Sequence, residues 1–249
     1  VLGSMFLNYE FTPELSGKLR IGLDRNIGRE DLYTERAPVS AGSVQGGANI
    51  RMLEKYSKLL EYTMTYQKSL SNLDLTILGG ATYEDFVNRS FQSGISDFPT
   101  DVLLTNNLGL GNIENATMGS NKNKNSLLSY LFRFNLSLFN KVLLTSSFRA
   151  DGSSRFGENN KFAYFPSAAV AYKLSEEEFI PELFSELKIR ASWGNTGNQN
   201  ISNYSSLSTY SLGAQALFSG SPYQGTVASR IANPDLKWET TTQTNIGFD

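Results

Sequence analysis

The chain has few side chains that could perform covalent chemistry or hold a metal ion. It contains no cysteine and no histidine, which excludes thiol nucleophiles, Ser-His-Asp triads, disulfides and zinc sites built on Cys or His. Its 22 Lys and Arg stand against 24 Asp and Glu, a net charge of −2, whereas nucleic-acid-binding surfaces are strongly basic. We therefore expect no catalytic residues, no metal, no cofactor and no nucleic-acid partner.

The remaining candidates for polar chemistry are carboxylates and glycine motifs, and each is better explained by loop structure. Asp97 and Asp101 lie in an Asn-rich segment without the spacing of an EF-hand calcium loop. The run Glu176–Glu178 is more typical of a solvated turn than of a pair of catalytic acids, which need a defined separation across a substrate. The GNTGNQ segment at 194–199 lacks the Lys-Ser/Thr of a phosphate-binding loop.

Apolar and polar residues alternate with a period of two along much of the chain, which indicates β-strands with two unlike faces. The clearest case is 126–138, where even positions from Leu128 to Leu138 are apolar and odd positions include Arg133 and Asn135. After a turn at Asn140 the pattern resumes. Together such runs predict about nine strands, at 5–11, 18–24, 60–67, 73–84, 126–138, 142–151, 162–174, 187–193 and 236–249.

The lengths of strands and connections favour a membrane β-barrel over a soluble sheet. Many runs reach the roughly 9–11 residues that a transmembrane strand needs. Short connections at 12–15, 69–72 and 139–140 alternate with longer ones at 27–52, 87–125, 152–160 and 195–235, and a polar connection spans 175–186. Outer-membrane barrels have short periplasmic turns and long outer loops. The alternative is a soluble sheet with one wet face.

In a barrel the apolar face must meet lipid and the charged face must meet a wet interior, because a midplane Lys or Arg facing lipid costs roughly 2–4 kcal/mol. Aromatic residues near strand ends are typical of interfacial girdles; these are Phe11, Tyr83, Tyr172, Trp193 and Trp238. The predicted lumen-lining residues are Arg20, Asp24, Arg133, Arg149, Asp151, Lys188, Arg190, Lys237 and Glu239.

Three segments carry a resemblance to a known family. They are RADGSSRFG at 149–157 with FAYFPSAAVAY at 162–172, LKIRASWGNTGNQ at 187–199, and NPDLKWETTTQTNIGFD at 233–249. Together they resemble the C-terminal barrel half of SusC/RagA-type TonB-dependent transporters of the Bacteroidetes outer membrane. The resemblance is strong over about 125–249, and the first half fits it only in its hairpin pattern.

The resemblance implies an all-β fold, an antiparallel transmembrane segment within a larger, 22-stranded barrel. Bacterial barrels have an even number of strands, so a count of nine strands predicts that 1–249 is one piece of the barrel domain. The plug and TonB box are expected to lie outside it. The implied partners are TonB, a SusD-like surface lipoprotein, outer-membrane lipid and an oligosaccharide or peptide substrate.

Outer-loop residues are the candidates for contact with ligand or lid. Arg155 could make such a contact, or it could pair with Asp151 or a neighbouring strand. The aromatic residues Tyr204, Tyr210, Phe218 and Tyr223 could stack on sugars, meet the lid or pack the loops. We expect TonB-dependent import of oligomeric nutrients. The alternatives are a non-transporting β-rich surface binding protein, a complete small outer-membrane barrel and, least favoured, an enzyme.

Overall fold

A computed structural model describes residues 1–36, 45–180 and 186–249. The central parts of the predicted connections 27–52 and 175–186 lie outside these residues. The described secondary structure is almost entirely β. The strands are β1 (Leu2–Glu10), β2 (Leu15–Thr34), β3 (Gly47–Leu70), β4 (Leu73–Ser96), β5 (Thr117–Leu138), β6 (Val142–Ser153), β7 (Phe162–Lys173), β8 (Lys188–Asn198), β9 (Thr209–Phe218), β10 (Ser221–Arg230) and β11 (Glu239–Phe248).

The helical segments of the described residues are single 3₁₀ turns. They span Leu104–Asn106, Leu108–Leu110, Ile113–Asn115, Glu158–Asn160 and Leu174–Glu176. The last lies at the start of the polar connection predicted at 175–186. Within the described ranges, no helix has the length and apolar character that a membrane crossing requires.

The strands form one nine-stranded sheet in the order β1-β2-β3-β4-β5-β6-β7-β8-β11, and β9 pairs separately with β10. The pairs β5–β6, β6–β7, β7–β8 and β8–β11 are antiparallel. The predicted all-β, antiparallel segment with a nine-stranded sheet is therefore confirmed. The hairpin β9–β10 was missed inside the predicted connection 195–235. Among the residues that the structure describes, its strands pair only with each other, and small and polar residues interrupt their alternation.

The chain consists of two compact units. Unit 1 comprises 1–4, 22–58 and 85–124, and unit 2 comprises 5–21, 59–84 and 125–249. In unit 1, β2 continues to Thr34, β3 begins at Gly47, β4 ends at Ser96 and β5 begins at Thr117. The predicted loops 27–52 and 87–125 are therefore too long. The strands continue there although charged residues such as Arg29 and Arg89 interrupt the apolar positions marked by Ile27 and Phe91, so hydrophobic alternation does not detect them.

The registers in unit 2 place like residues on the same face. Phe132 lies opposite Phe148, and Phe148 lies opposite Pro166. One position away, Arg133 lies opposite Ser147. Facing residues in neighbouring strands share a side of the sheet, so the alternation seen in single strands extends across the sheet. The rings of Tyr130 and Phe132 on the apolar side are about half exposed, at 50% and 47%.

The predicted tight turns are confirmed. Only 11–14, 71–72 and 139–141 separate β1 from β2, β3 from β4 and β5 from β6. Phe139 and Asn140 both have positive φ, 52° and 56°, as the type I′ turn favoured by twisted hairpins requires. In the first turn the Thr12 hydroxyl accepts a hydrogen bond from the Leu15 amide at 3.0 Å.

The hairpin β3–β4 provides a matched test of strand packing. A Cβ at Gly80 would lie 2.5 Å from the Tyr62 carbonyl oxygen, whereas a Cβ at Gly79 would meet nothing within 4 Å. We expect Gly80→Ala in the full-length protein to lower the free energy of unfolding by about 1–3 kcal/mol, since overpacking forces the backbone to shift. Gly79→Ala is the control. Equal unfolding midpoints, measured by heat-modified gel mobility, would contradict the close approach.

Candidate functional site

Most of the predicted lumen-lining residues of unit 2 share one face of the sheet. In β5 and β6, Arg133 lies opposite Ser147, and Asp151 lies opposite Ser129. Arg149 has Leu131 on one side and Phe165 on the other. Farther along, Arg190 of β8 faces Ala171 of β7 and Gly247 of β11, and Glu239 faces Asn198. The strand registers thus collect side chains from separate parts of the chain into one polar surface.

The cations of β5 and β6 are held by neighbouring polar groups. Arg149 pairs with Asp151 at 3.0 Å, and the carboxylate side chain is only 13% exposed. Arg133 donates to Asn135 Oδ1 at 3.3 Å, and the same oxygen accepts from the Thr145 hydroxyl at 3.1 Å. These bonds link positions along and across strands. The surface therefore presents hydrogen-bonding groups with largely compensated charge.

A second charged cluster lies where β8 begins and β11 ends. The Asp249 carboxylate is 3.1 Å from both Lys188 Nζ and Arg190 Nε. Lys188 also contacts Glu186 at 2.9 Å. Gly247 leaves room for the guanidinium, because a Cβ there would lie 2.8 Å from Arg190 Cζ. Two cations and two carboxylates thus neutralise each other at this end of the polar face.

The other predicted lumenal residues are placed less uniformly. Arg20 in unit 2 and Asp24 in unit 1 are exposed on β2, without an ion pair among the described residues. Glu239 begins β11 and accepts a hydrogen bond from Asn198 Nδ2 at 2.9 Å. Lys237 is exposed in the segment before β11, so its assignment to a strand is wrong. The predicted strand, 236–249, begins three residues before the observed start at Glu239.

Arg155 holds the outer loops of unit 2 together. Its guanidinium donates to Asn203 Oδ1 at 2.9 Å, to the Gln199 carbonyl at 3.0 Å and to Asn125 Oδ1 at 3.4 Å. Three chain segments thereby meet at one half-buried side chain. Asp151, the partner considered from the sequence, pairs with Arg149 instead. The acceptors on Asn125 and Asn203 had no signal in the sequence.

An aromatic core beside Arg155 joins two of the segments that carry the family resemblance. The Trp238 ring is stacked 4.7 Å from Phe156 and lies edge-on to Phe165 at 5.6 Å. Its indole donates to the Lys161 carbonyl at 3.0 Å. Trp238 is only 8% exposed, so its prediction as an interfacial aromatic is wrong. At Gly157 a Cβ would lie 2.0 Å from the Pro234 carbonyl oxygen, so the two segments touch through their backbones.

The hairpin β9–β10 carries most of the predicted contact aromatics. Tyr210, Phe218 and Tyr223 are 69%, 71% and 58% exposed, with Leu212 at 68%. Phe218 and Tyr223 meet edge-to-face at 6.2 Å, and Tyr223 pairs with Ala216, which places Phe218 and Tyr223 on one side of the hairpin. A register shift between Gly225 and Thr226 places Tyr210 and Leu212 on the other side. We call Phe218 and Tyr223 the hairpin stripe. Tyr204 precedes the hairpin, and its carbonyl accepts from Arg230 at 3.1 Å.

The carboxylates of the unit 1 loop are engaged by protein groups. Asp101 accepts from the Tyr33 hydroxyl at 2.8 Å and from Arg36 Nε at 3.3 Å. The pKa of Asp101 is below its ordinary value. The hydrogen bond from Tyr33 is the main cause, and the hydrogen bond from Arg36 contributes less. Asp97 accepts from the Asn115 amide. Among the described residues, no group of three or more carboxylates is arranged to hold a metal ion.

Arg155 provides the test of how the loops are held. Arg155→Lys removes the planar fork that reaches three acceptors. We expect local opening of 199–206 to become easier by about 1.5–3 kcal/mol, the range for hydrogen bonds to a charged group. Hydrogen exchange of these amides in the full-length protein would then be faster by about tenfold or more. Arg133→Lys, which disturbs a single exposed contact, is the control; equal exchange in both variants would contradict the role of Arg155.

Comparison with known proteins agrees with this geometry. The family model described as "TonB dependent receptor-like, beta-barrel" matches residues 3–249. TonB-dependent receptor P3 of Formosa agariphila is 32% identical over 250 residues, covering 99% of this chain and 25% of the relative. TonB-dependent receptor SusC of Bacteroides thetaiotaomicron is 32% identical over 262 residues, covering 100% of this chain and 25% of the relative.

Solved structures give the same result. The structure of the RagAB peptide transporter matches with a TM-score of 0.87 and 26% identity, over 98% of this chain and 27% of the matched chain. The chain therefore spans about a quarter of the length of its relatives. These relatives are named as receptors and transporters rather than enzymes, and the recognised resemblance is confirmed. The chain belongs to the TonB-dependent receptor-like β-barrel family of the bacterial outer membrane.

Proposed function

We propose that these residues form part of the wall and outer loops of a TonB-dependent importer of oligomeric nutrients. The observation that carries the proposal is the in-register alternation of unit 2. Phe132 and Phe148 face each other on one side of the sheet, while Arg133 and Ser147 face each other on the other. A sheet with these two faces suits a wall between hydrocarbon and water.

The apolar face is assigned to lipid and the polar face to the lumen. Large exposed rings on the first face, such as Tyr164 at 61%, are favourable in hydrocarbon and at its boundary. A guanidinium turned to lipid at the midplane would cost roughly 2–4 kcal/mol. This assignment makes Arg133, Arg149 and Arg190 lumenal, in accord with the sequence-based expectation.

The chemistry of the polar face suits neutral or weakly charged oligomers. Arg149 is compensated by Asp151, and Arg190 by Asp249. What the face then offers is a series of hydroxyl and amide groups, such as the Ser147–Ser167 pair at 2.7 Å. Such groups can exchange hydrogen bonds with a passing chain of sugars or peptides. The structurally similar RagAB complex is a peptide transporter, which supports peptides as one substrate class.

The hairpin stripe is proposed as the contact for the nutrient or for a SusD-like surface lipoprotein. Its exposed rings provide rigid apolar area, and aromatic residues are enriched among the residues that dominate binding energy. Plug and TonB box are proposed to lie outside 1–249. We infer energy coupling through TonB from family membership. The residues that would carry it are proposed to lie in the plug and TonB box rather than among those described above.

Uptake by the full-length protein in its native host tests this function. Fluorescent oligosaccharides and peptides would be supplied to wild-type cells and to cells lacking the transporter gene or TonB. We expect uptake of one substrate class to require both genes. TonB-independent uptake, or uptake unchanged by deletion of the transporter gene, would contradict the proposal.

The affinity of the full-length protein for the nutrient and for the lipoprotein, measured by titration, tests the hairpin stripe. We expect the double substitution Phe218→Ala and Tyr223→Ala to lower affinity for nutrient or lipoprotein about tenfold or more, because truncating a central interface aromatic costs more than about 1 kcal/mol. Leu217→Ala is the control, since this 78% exposed residue is adjacent to Phe218 in β9 and points to the opposite side. Equal effects of the two changes would contradict the role of the stripe.

A further inference from the structure

One face of unit 1 carries a cluster of charged residues drawn from neighbouring strands. Arg25 Nε of β2 donates to Glu54 Oε1 of β3 at 2.8 Å, and Arg89 of β4 approaches Glu54 Oε2 at 3.6 Å. Arg89 also lies over the Tyr56 ring, 5.7 Å from its centre. These contacts place Arg25, Glu54, Tyr56 and Arg89 on the same side of the sheet. Glu54 therefore holds two guanidinium groups close together.

A groove of about 520 Å³ lies in this cluster. Its apolar lining is Ile27, Met52 and Phe91, which are 57%, 45% and 43% exposed. Its charged lining is Arg25, Arg89 and Lys122 against the single carboxylate of Glu54. Lys122 makes no ion pair with any described residue. The groove is thus amphipathic, with exposed apolar side chains beside an excess of positive charge.

The charged face directly follows an apolar one. Along β2, Leu23, Arg25 and Ile27 occupy alternate positions and share a side of the strand, and Leu23 is 45% exposed. Under the proposed assignment of the faces, on which this inference rests, Leu23 turns towards lipid. The change to Arg25 within two residues then marks the boundary between hydrocarbon and headgroups, where long cationic side chains are favoured.

We infer that this groove binds the phosphorylated headgroup of an outer-leaflet lipid, with an acyl chain against Ile27, Met52 and Phe91. Guanidinium forks match phosphate oxygens in geometry and charge. Glu54 occupies only part of the donor capacity of Arg25 and Arg89, and Lys122 adds an uncommitted ammonium. A soluble anion would use the cations but leave the apolar lining exposed to water, whereas a phosphorylated lipid satisfies both.

Native mass spectrometry of the full-length protein in neutral detergent tests the inference with diphosphoryl lipid A, its dephosphorylated form and inorganic phosphate. We expect preferential binding of the phosphorylated lipid, weakened about tenfold or more by the double substitution Arg89→Gln and Lys122→Gln. Lys55→Gln is the control, because Lys55 is exposed and adjacent to Glu54 in β3, on the opposite side. The single variant Lys122→Gln, which breaks no ion pair, gives a test independent of folding.

Equal lipid binding by wild type, Lys122→Gln and the double variant would overturn the inference. So would equal binding of phosphorylated and dephosphorylated lipid, or inorganic phosphate that competes fully with the lipid at comparable concentration. Nutrient uptake distinguishes this failure from failure of the proposed function. Variants that lose lipid binding are expected to retain uptake. If the wild type showed no TonB-dependent uptake, the transport proposal would be overturned, but the lipid-binding result would still stand.

Discussion

The hydrogen-bonded register between neighbouring strands is the constraint on which the rest of the structure depends. Once Phe132 is opposite Phe148, and Phe148 opposite Pro166, every other position in β5, β6 and β7 is assigned to a face. A slip by one residue would exchange the faces of a strand completely. Arg133 and Arg149 would then join the rings on the apolar side. The register thus determines which residues form the apolar face of the sheet and which form its polar face.

The segments that resemble the family have a mainly structural role in unit 2. Phe156 and Trp238 come from different motifs and stack at 4.7 Å, while Arg155 donates hydrogen bonds to three acceptors in two other segments, at Asn125 and at 199–203. This small core ties the outer connections to the strands without requiring a large hydrophobic interior. It leaves the hairpin stripe exposed and therefore accessible to a partner or nutrient.

Sequence alone predicted the parts of the fold in which one local rule dominates. β5 and β6 were found because apolar alternation and a tight turn at Asn140 agree. The outer portions of β2 and β3 were missed because residues such as Arg29, Asp31 and Glu54 are stabilised by pairing rather than by an apolar face. Lys237 and Trp238 were misplaced for a related reason. Alternation shows which residues share a face of a strand, but it does not show where the strand begins. Trp238 lies before the start of β11 and packs on Phe156.

The two faces of the sheet are proposed to meet different solvents, and single-site spin labels test this assignment most directly. Residues 1–249 contain no cysteine, so in the full-length protein, with any cysteine outside this range replaced by serine, a single label can be attached at each of Phe132→Cys, Arg133→Cys, Phe134→Cys and Asn135→Cys after reconstitution in lipid. Collision rates with oxygen, which concentrates in hydrocarbon, and with a water-soluble nickel chelate would be measured. We expect faster collisions with oxygen at 132 and 134 and faster collisions with the chelate at 133 and 135. Rates without this alternation, or with the opposite one, would contradict the assignment.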